Sequence, residues 1–128
     1  MKILDSTFLI DLMRGSKEAS RIVEGDEALL TTQINMYEVI KGLSLKGVSD
    51  DKMHRAREMF DNIKILPFDD NASVKAAEIS SSLIKKGETI HDCDCMIAGI
   101  ALSKGIKIIV TRNVKDFSKI KEIKVETY

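Results

Sequence analysis

Asp5, Asp94 and Asp116 are the residues of this chain whose type and placement could do chemistry. Asp5 directly follows the apolar pair Ile3-Leu4, and Asp116 stands in the stretch after the apolar run Ile106 to Val110, so both fall beyond the end of a strand. Asp94 lies at the start of the helical segment that precedes that run. Taken singly, each aspartate would be accounted for by helix capping or turn formation. Taken together they are carboxylates crowded on one rim. Neither protonation nor burial relieves such crowding cheaply near neutral pH, whereas a hard divalent cation does. Convergence of these acids therefore predicts Mg²⁺, with Mn²⁺ able to substitute. A cation held by few carboxylates keeps positions open for phosphate oxygens, the arrangement of phosphoryl transfer and phosphodiester hydrolysis.

The elements that must position these acids alternate along the chain. Ile3-Leu4 reads as a minimal strand, after which Ser6 caps a helix through Phe8, Leu9, Ile10, Leu12 and Met13 that Gly15 stops. A helix over Ser16 to Val23 leads through Gly25-Asp26 to a buried strand, Ala28 to Thr31, and Thr32 caps a helix from Gln33 to Lys46. Ser49-Asp50 opens a charged helix with Met53, Ala56, Met59 and Phe60, followed by the strand Ile63 to Leu66, which Pro67 terminates. Asp69 to Lys86 is a further helix ended by Gly87. Asp92 begins another that closes at Gly105, followed by the strand Ile106 to Val110, a loop over Thr111 to Phe117 and a last strand over Ile123 to Glu126. Strands alternating with helices imply an α/β fold with a parallel sheet of about four to five short strands flanked by helices in three layers, since parallel neighbours need helical crossovers. Ligands of such sheets sit beyond the carboxyl ends of the strands.

Asp92 and Asp94 compete for the same role. In one helix their side chains point roughly 200° apart, so Asp92 is assigned to the N-cap and Asp94 to the site. Periodicity does not bring Glu38 into the cluster. The main apolar stripe of its helix is Met36, Val39, Ile40 and Leu43; Glu38 shares the opposite face with Ile34 and Leu45 and borders Tyr37 and Lys41, so this helix is expected to be contacted on two sides.

A length of 128 residues predicts a single domain over residues 1–128 with a core that needs no disulfides. Acidic and basic residues balance at 20 each, which excludes a broad positive field for nucleic acid or membrane. Any nucleic-acid affinity must come from local cations, with Arg14, Lys41, Lys46 and Arg112 as candidates. The Met1 to Asp5 start is too short in apolar residues for a secretory signal, and no window reaches a membrane span, so a cytoplasmic protein without a membrane partner is expected. His91-Asp92-Cys93-Asp94-Cys95 invites a zinc reading, but its spacing and the scarcity of His and Cys argue against a four-ligand site. A phosphorelay receiver, the rival from another functional class, would carry paired acids after the first strand, where this chain has Asp5 alone.

Four segments together resemble a known family: Ile3-Leu4-Asp5-Ser6-Thr7, Tyr37-Glu38-Val39, Asp94-Cys95-Met96-Ile97-Ala98-Gly99 and Thr111-Arg112-Asn113-Val114-Lys115-Asp116-Phe117 are similar in order and spacing to the PIN-domain ribonucleases. Within that superfamily the chain resembles the VapC-type toxins of type II toxin-antitoxin pairs, and the resemblance covers essentially its whole length. It implies Mg²⁺-dependent endoribonuclease chemistry with Asp5, Glu38, Asp94 and Asp116 as the catalytic acids. Asp5 and Asp94 would hold the metal directly, and Glu38 and Asp116 directly or through water. Ser6, Asp92, Thr111 and Asn113 would support them; Asn113 stands where some members carry another acid, and Ser6 where a threonine is frequent. Products with a 5′-phosphate and a 3′-hydroxyl, an RNA substrate, a small antitoxin that blocks the acidic pocket and a homodimer follow from the same resemblance. A housekeeping RNA-processing nuclease and a catalytically silent RNA-binding subunit are the alternatives on the same fold.

Overall fold

The computed structural model describes residues 1–25 and 28–128. Its elements run β1 (Lys2–Leu4), α1 (Ser6–Met13), α2 (Lys17–Val23), β2 (Leu29–Thr32), α3 (Gln33–Lys46), α4 (Asp50–Asp61), β3 (Lys64–Leu66), α5 (Asp70–Lys85), α6 (Asp92–Ser103), β4 (Ile108–Val110), α7 (Val114–Phe117) and β5 (Lys124–Glu126). The strands form one five-stranded sheet in the order β3-β2-β1-β4-β5, with every neighbouring pair parallel. The expected α/β architecture is therefore the observed one, and β1 lies at its centre, where the chain order reverses.

Both sheet faces are buried, because alternate residues of each short strand point to opposite sides. Ile3, Leu30 and Ile109 pack with Ile79, Leu83, Ile97, Ile100 and Phe117 on one side. Leu4 and Val110 pack with Phe8, Leu9, Val39 and Phe60 on the other. Three layers result, with α5, α6 and α7 over one face and α1 to α4 over the other.

Side-chain oxygens start several helices where the sequence predicts. Thr32 accepts from Asn35 N for α3, Ser16 from Ala19 N for α2, Ser49 from Lys52 N for α4 and Asp69 from Ala72 N for α5. Beyond α6, Gly105 adopts φ +73°, a left-handed conformation suited to glycine. The closest helix contact is α5 against α6: a Cβ on Gly99 would lie 2.8 Å from Ala72 O and from Ala76 N. Glycine at this position lets α6 approach the sheet side of α5 closely enough to carry Asp94 inward.

Several boundaries differ from expectation. The strand expected over Ala28 to Thr31 is shifted to Leu29–Thr32, and Ile63, Ile106 and Ile123 stand outside their strands, as short parallel ladders pair only residues in register. Asp5, not Ser6, stands at the N-cap position of α1: Ser6 is already the first helical residue, and no side-chain hydrogen bond caps the helix. The Thr111 to Phe117 loop contains the helical turn α7, with Asn113 at its N-cap position but making no side-chain capping bond. Asp26, read as part of the turn before β2, lies outside the described residues.

Candidate active site

Parallel pairing of β1 with β4 sets Leu4 beside Val110, so the residues that follow each strand, Asp5 and Thr111, meet at the carboxyl end of the sheet. The Asp5 N–H continues the ladder to Val110 O at 3.0 Å. Its side chain is nearly buried, and both carboxylate oxygens are held: Oδ2 accepts from Thr111 Oγ1 at 2.6 Å and Oδ1 from Asn35 Nδ2 at 2.9 Å. Burial pushes the Asp5 carboxyl above its ordinary value, and hydrogen bonds from Thr111, the Ser6 backbone and Asn35 oppose that shift.

Asn35, fully buried in the first turn of α3, organises the next links. Its amide oxygen accepts from Thr32 Oγ1 at 2.7 Å, and its Nδ2 donates to Ser6 Oγ at 3.0 Å as well as to Asp5. Ser6 in turn donates to Glu38 Oε1 at 2.8 Å. Glu38 is half-buried one turn further along α3, and its carboxyl is raised by burial, with the Asp5 charge adding to that. The helix is contacted on two sides, with Ile34 against one cluster and Val39 in the other, although Leu45 at 79% exposure and Tyr37 take no part in that packing.

Asp94 enters from the first turn of α6 and is 8% exposed. Its Oδ2 accepts from Asn113 Nδ2 at 3.3 Å. Burial, followed by the charges of Asp5, Glu38 and Asp116, pushes its carboxyl up to about 6 from an ordinary 3.8. The four acids named from the sequence thus share one electrostatic site, although they come from β1, α3, α6 and α7. Asp116, on α7, acts on Asp94 through its charge and lies 3.9 Å from Lys119 Nζ.

The supporting residues divide. Ser6, Thr111 and Asn113 bond to the acids directly, and Thr111 Oγ1 also accepts from Asn113 N at 2.9 Å, tying the β4–α7 connection together. Asp92 does not cap α6: His91 is the N-cap and Asp92 the first helical residue, exposed on the side away from Asp94. With both aspartates helical, their divergence of roughly 200° turns one inward and the other to solvent. Cys95 is buried, whereas Cys93 is partly exposed, and the charges of Glu38 and Asp94 add to the burial that raises its thiol.

Sequence reasoning missed Asn35, although its place three residues after the Thr32 cap and three before Glu38 puts it on the inner side of the first turn. It also missed the clamp on Arg112, whose Nε donates to Asp11 Oδ2 at 2.9 Å while Tyr128 Oη donates to the same oxygen at 2.6 Å. The Arg112 guanidinium lies 4.6 Å from the centre of the Tyr128 ring, so this candidate RNA cation is engaged within the chain. Arg14 and Lys46 edge a cleft between α1, α3 and α4, and the charge of Lys41 lowers the Glu38 carboxyl.

The donor set suits a hard cation. It consists of carboxylates whose mutual repulsion adds to burial in raising the Asp94 carboxyl, and a divalent ion would relieve that repulsion. Among the described residues, no group of three or more His, Cys, Asp or Glu side chains is drawn together closely enough to form a ready-made cage.

The PIN domain family model matches residues 2–123. The tRNA(fMet)-specific endonuclease VapC of Salmonella typhimurium is 27% identical over 97 residues, which cover 76% of this chain and 73% of that protein. The solved structure of VapBC2 from Rickettsia felis bound to a DNA fragment from their promoter superposes with a TM-score of 0.88 at 20% identity, covering 99% of this chain and 98% of that one. DNA-bound VapBC from Salmonella typhimurium gives a TM-score of 0.85 at 26% identity, covering 98% and 96%. A family model spanning nearly the whole chain, on a fold that brings the four motif acids to one sheet end, shows that the chain belongs to the PIN domain family.

Proposed function

We propose that this chain is a Mg²⁺-dependent endoribonuclease and the toxin component of a toxin-antitoxin pair, acting in the cytoplasm. The observation that carries the catalytic reading is the nearly buried Asp94 carboxyl, whose pKa is raised first by burial and then by the charges of Asp5, Glu38 and Asp116, each from a separate element. Maintaining such repulsion in a nearly buried position disfavours folding, and a cation-binding role accounts for it. Asp5 and Asp94 are the direct metal ligands in this proposal, with Glu38 and Asp116 completing the shell directly or through water. Bound Mg²⁺ would polarise a phosphodiester and lower the pKa of an attacking water. The chain's own residues hold and aim the acids: Thr111 and Asn35 fix both Asp5 oxygens, Ser6 fixes Glu38, and Asn113 holds Asp94. Mn²⁺ should substitute, and RNA products should carry a 5′-phosphate and a 3′-hydroxyl.

The VapC relatives named as tRNA-specific endonucleases, and the VapBC complexes of similar fold, support an RNA substrate and a small antitoxin partner. A cleft of about 540 Å³ between α1, α3 and α4, floored by Met13, Leu43 and Met59 and edged by Arg14, Lys46 and Arg55, offers such a partner apolar surface. It draws on the two amphipathic segments of α1 and α4, while Phe8 and Phe60 of those segments are core. A homodimer accompanies this reading. Among the described residues no helix is long and apolar enough to cross a membrane.

The test is co-expression with and without the neighbouring small open reading frame, scoring growth and mapping RNA 5′ ends for the wild-type and Asp5→Asn chains. Growth arrest and new 5′ ends that need Asp5 and disappear with the partner are expected. Cleavage undiminished in Asp5→Asn would overturn the assignment.

A further inference from the structure

Aromatic rings in this chain are few, and all but one are covered at least in part. Phe8, Phe60 and Phe117 are buried, Phe68 and Tyr128 are partly buried, and Tyr37 is 56% exposed. Tyr37 directly precedes Glu38 on α3, and Lys41 stands four residues beyond the ring and three beyond the acid, so the helix ridge that carries the uncovered ring borders Glu38 through Lys41. Lys41, one turn further on, sets its Nζ 5.5 Å from the centre of that ring. The Lys41 charge acts on Glu38 as well, as their i, i+3 spacing on α3 implies.

An exposed ring with a cation over it has a physical use where nucleic acid must be held without a broad positive field. Every unpaired base offers a π-face, and base–aromatic stacking is independent of net charge. A lysine beside the ring can meet the phosphate that flanks the stacked base. This chain has no net charge, and two of its four candidate cations line the α1–α3–α4 cleft while a third is clamped by Asp11 and Tyr128. We propose that Tyr37 and Lys41 form a nucleotide subsite on the rim of the acidic cleft, taking an unpaired RNA base on the Tyr37 ring and its neighbouring phosphate on Lys41. This inference rests on the ribonuclease reading and adds to it a requirement for single-stranded substrate beside the cut site.

Fluorescence anisotropy with a short, labelled, mixed-sequence single-stranded RNA tests the subsite, using full-length chain in an Asp5→Asn background so that no cleavage intervenes. Tyr37→Ala should raise Kd about 5- to 150-fold, the loss expected for one stacked base, whereas Tyr37→Phe should stay within about twofold. Lys41→Gln should weaken binding and reduce the slope of log Kd against log salt by about 0.7. In the otherwise wild-type chain, Tyr37→Ala should raise KM more than it lowers kcat. Binding by Tyr37→Ala equal to that of its background overturns the subsite, as does an equal loss in Tyr37→Phe. Tyr37 lies outside the core, and an unchanged melting temperature confirms that a binding loss is not unfolding. Cleavage that needs Asp5 but is indifferent to Tyr37 would sink the subsite alone. A wild-type chain that neither binds nor cleaves RNA would sink both readings.

Discussion

Asn35 Nδ2 donates to Asp5 Oδ1 at 2.9 Å, linking the first turn of α3 to the end of the central strand inside the protein. The same amide group reaches Ser6, and Ser6 reaches Glu38, so one buried side chain sets the position of two acids from different elements. Thr111 completes the hold on Asp5 from the other side of the β1–β4 seam.

Replacing Asn35 by Leu should therefore impair more than packing. The Thr32 hydroxyl loses its buried acceptor, and Asp5 and Ser6 lose a donor, for a stability loss of about 1–3 kcal/mol in urea unfolding. Asp5 would also lose one of the hydrogen bonds that hold its pKa down, so the rising limb of the pH–rate profile should move to higher pH. An unfolding midpoint and a pH profile both matching wild type would remove Asn35 from the site.

Asp94 predicts a stability change with pH in the absence of divalent cations. Its carboxyl titrates near 6 in the folded chain and near 3.8 when unfolded, so between those values the folded chain binds more protons. Stability from this group is thus greatest at the acid end of the window and falls as pH rises through about 6. Asp5 and Glu38 are shifted in the same direction. Asp11 and Asp69 are shifted the opposite way, and their contribution is already complete above their ordinary values. In EDTA the melting temperature should fall between pH 5 and 7; Mg²⁺ should restore it, and Asp94→Asn should flatten the slope. A melting temperature that rises across this interval in EDTA would contradict the origin assigned to the shift.

Gly99→Ala tests the packing that delivers Asp94. The added methyl would meet Ala72 O and Ala76 N at 2.8 Å, backbone atoms that yield only if α5 and α6 separate. A loss of about 1–3 kcal/mol in chemical denaturation is expected, together with reduced RNA cleavage, because α6 carries the acid. Wild-type stability with wild-type cleavage would show that the two helices tolerate the separation.

Much of the architecture was legible because it depends on neighbours in sequence. Thr32 capping a helix over Gln33 to Lys46 is a rule spanning three or four residues, and the structure has those bounds. The alternation of strands and helices predicted a parallel sheet, and strand-end position singled out Asp5 and Asp116 before any geometry. Where local rules competed, they gave the wrong residue: Asp92 has a good capping side chain, yet His91 takes the cap and Asp92 faces solvent.

Element order, the starts of most helices and the four candidate acids were readable from the chain alone, three by position and Glu38 by its family motif. Tertiary structure decided what those acids share. Asp5 meets Thr111 across 106 residues of chain because β4 pairs with β1, and Asn35 and Glu38 join them because α3 packs over one sheet face. Helical periodicity specifies which way a side chain points from its own axis, but not which strand end that axis lies beside. That placement comes from burial of two apolar faces around β1, an outcome of the whole chain folding together.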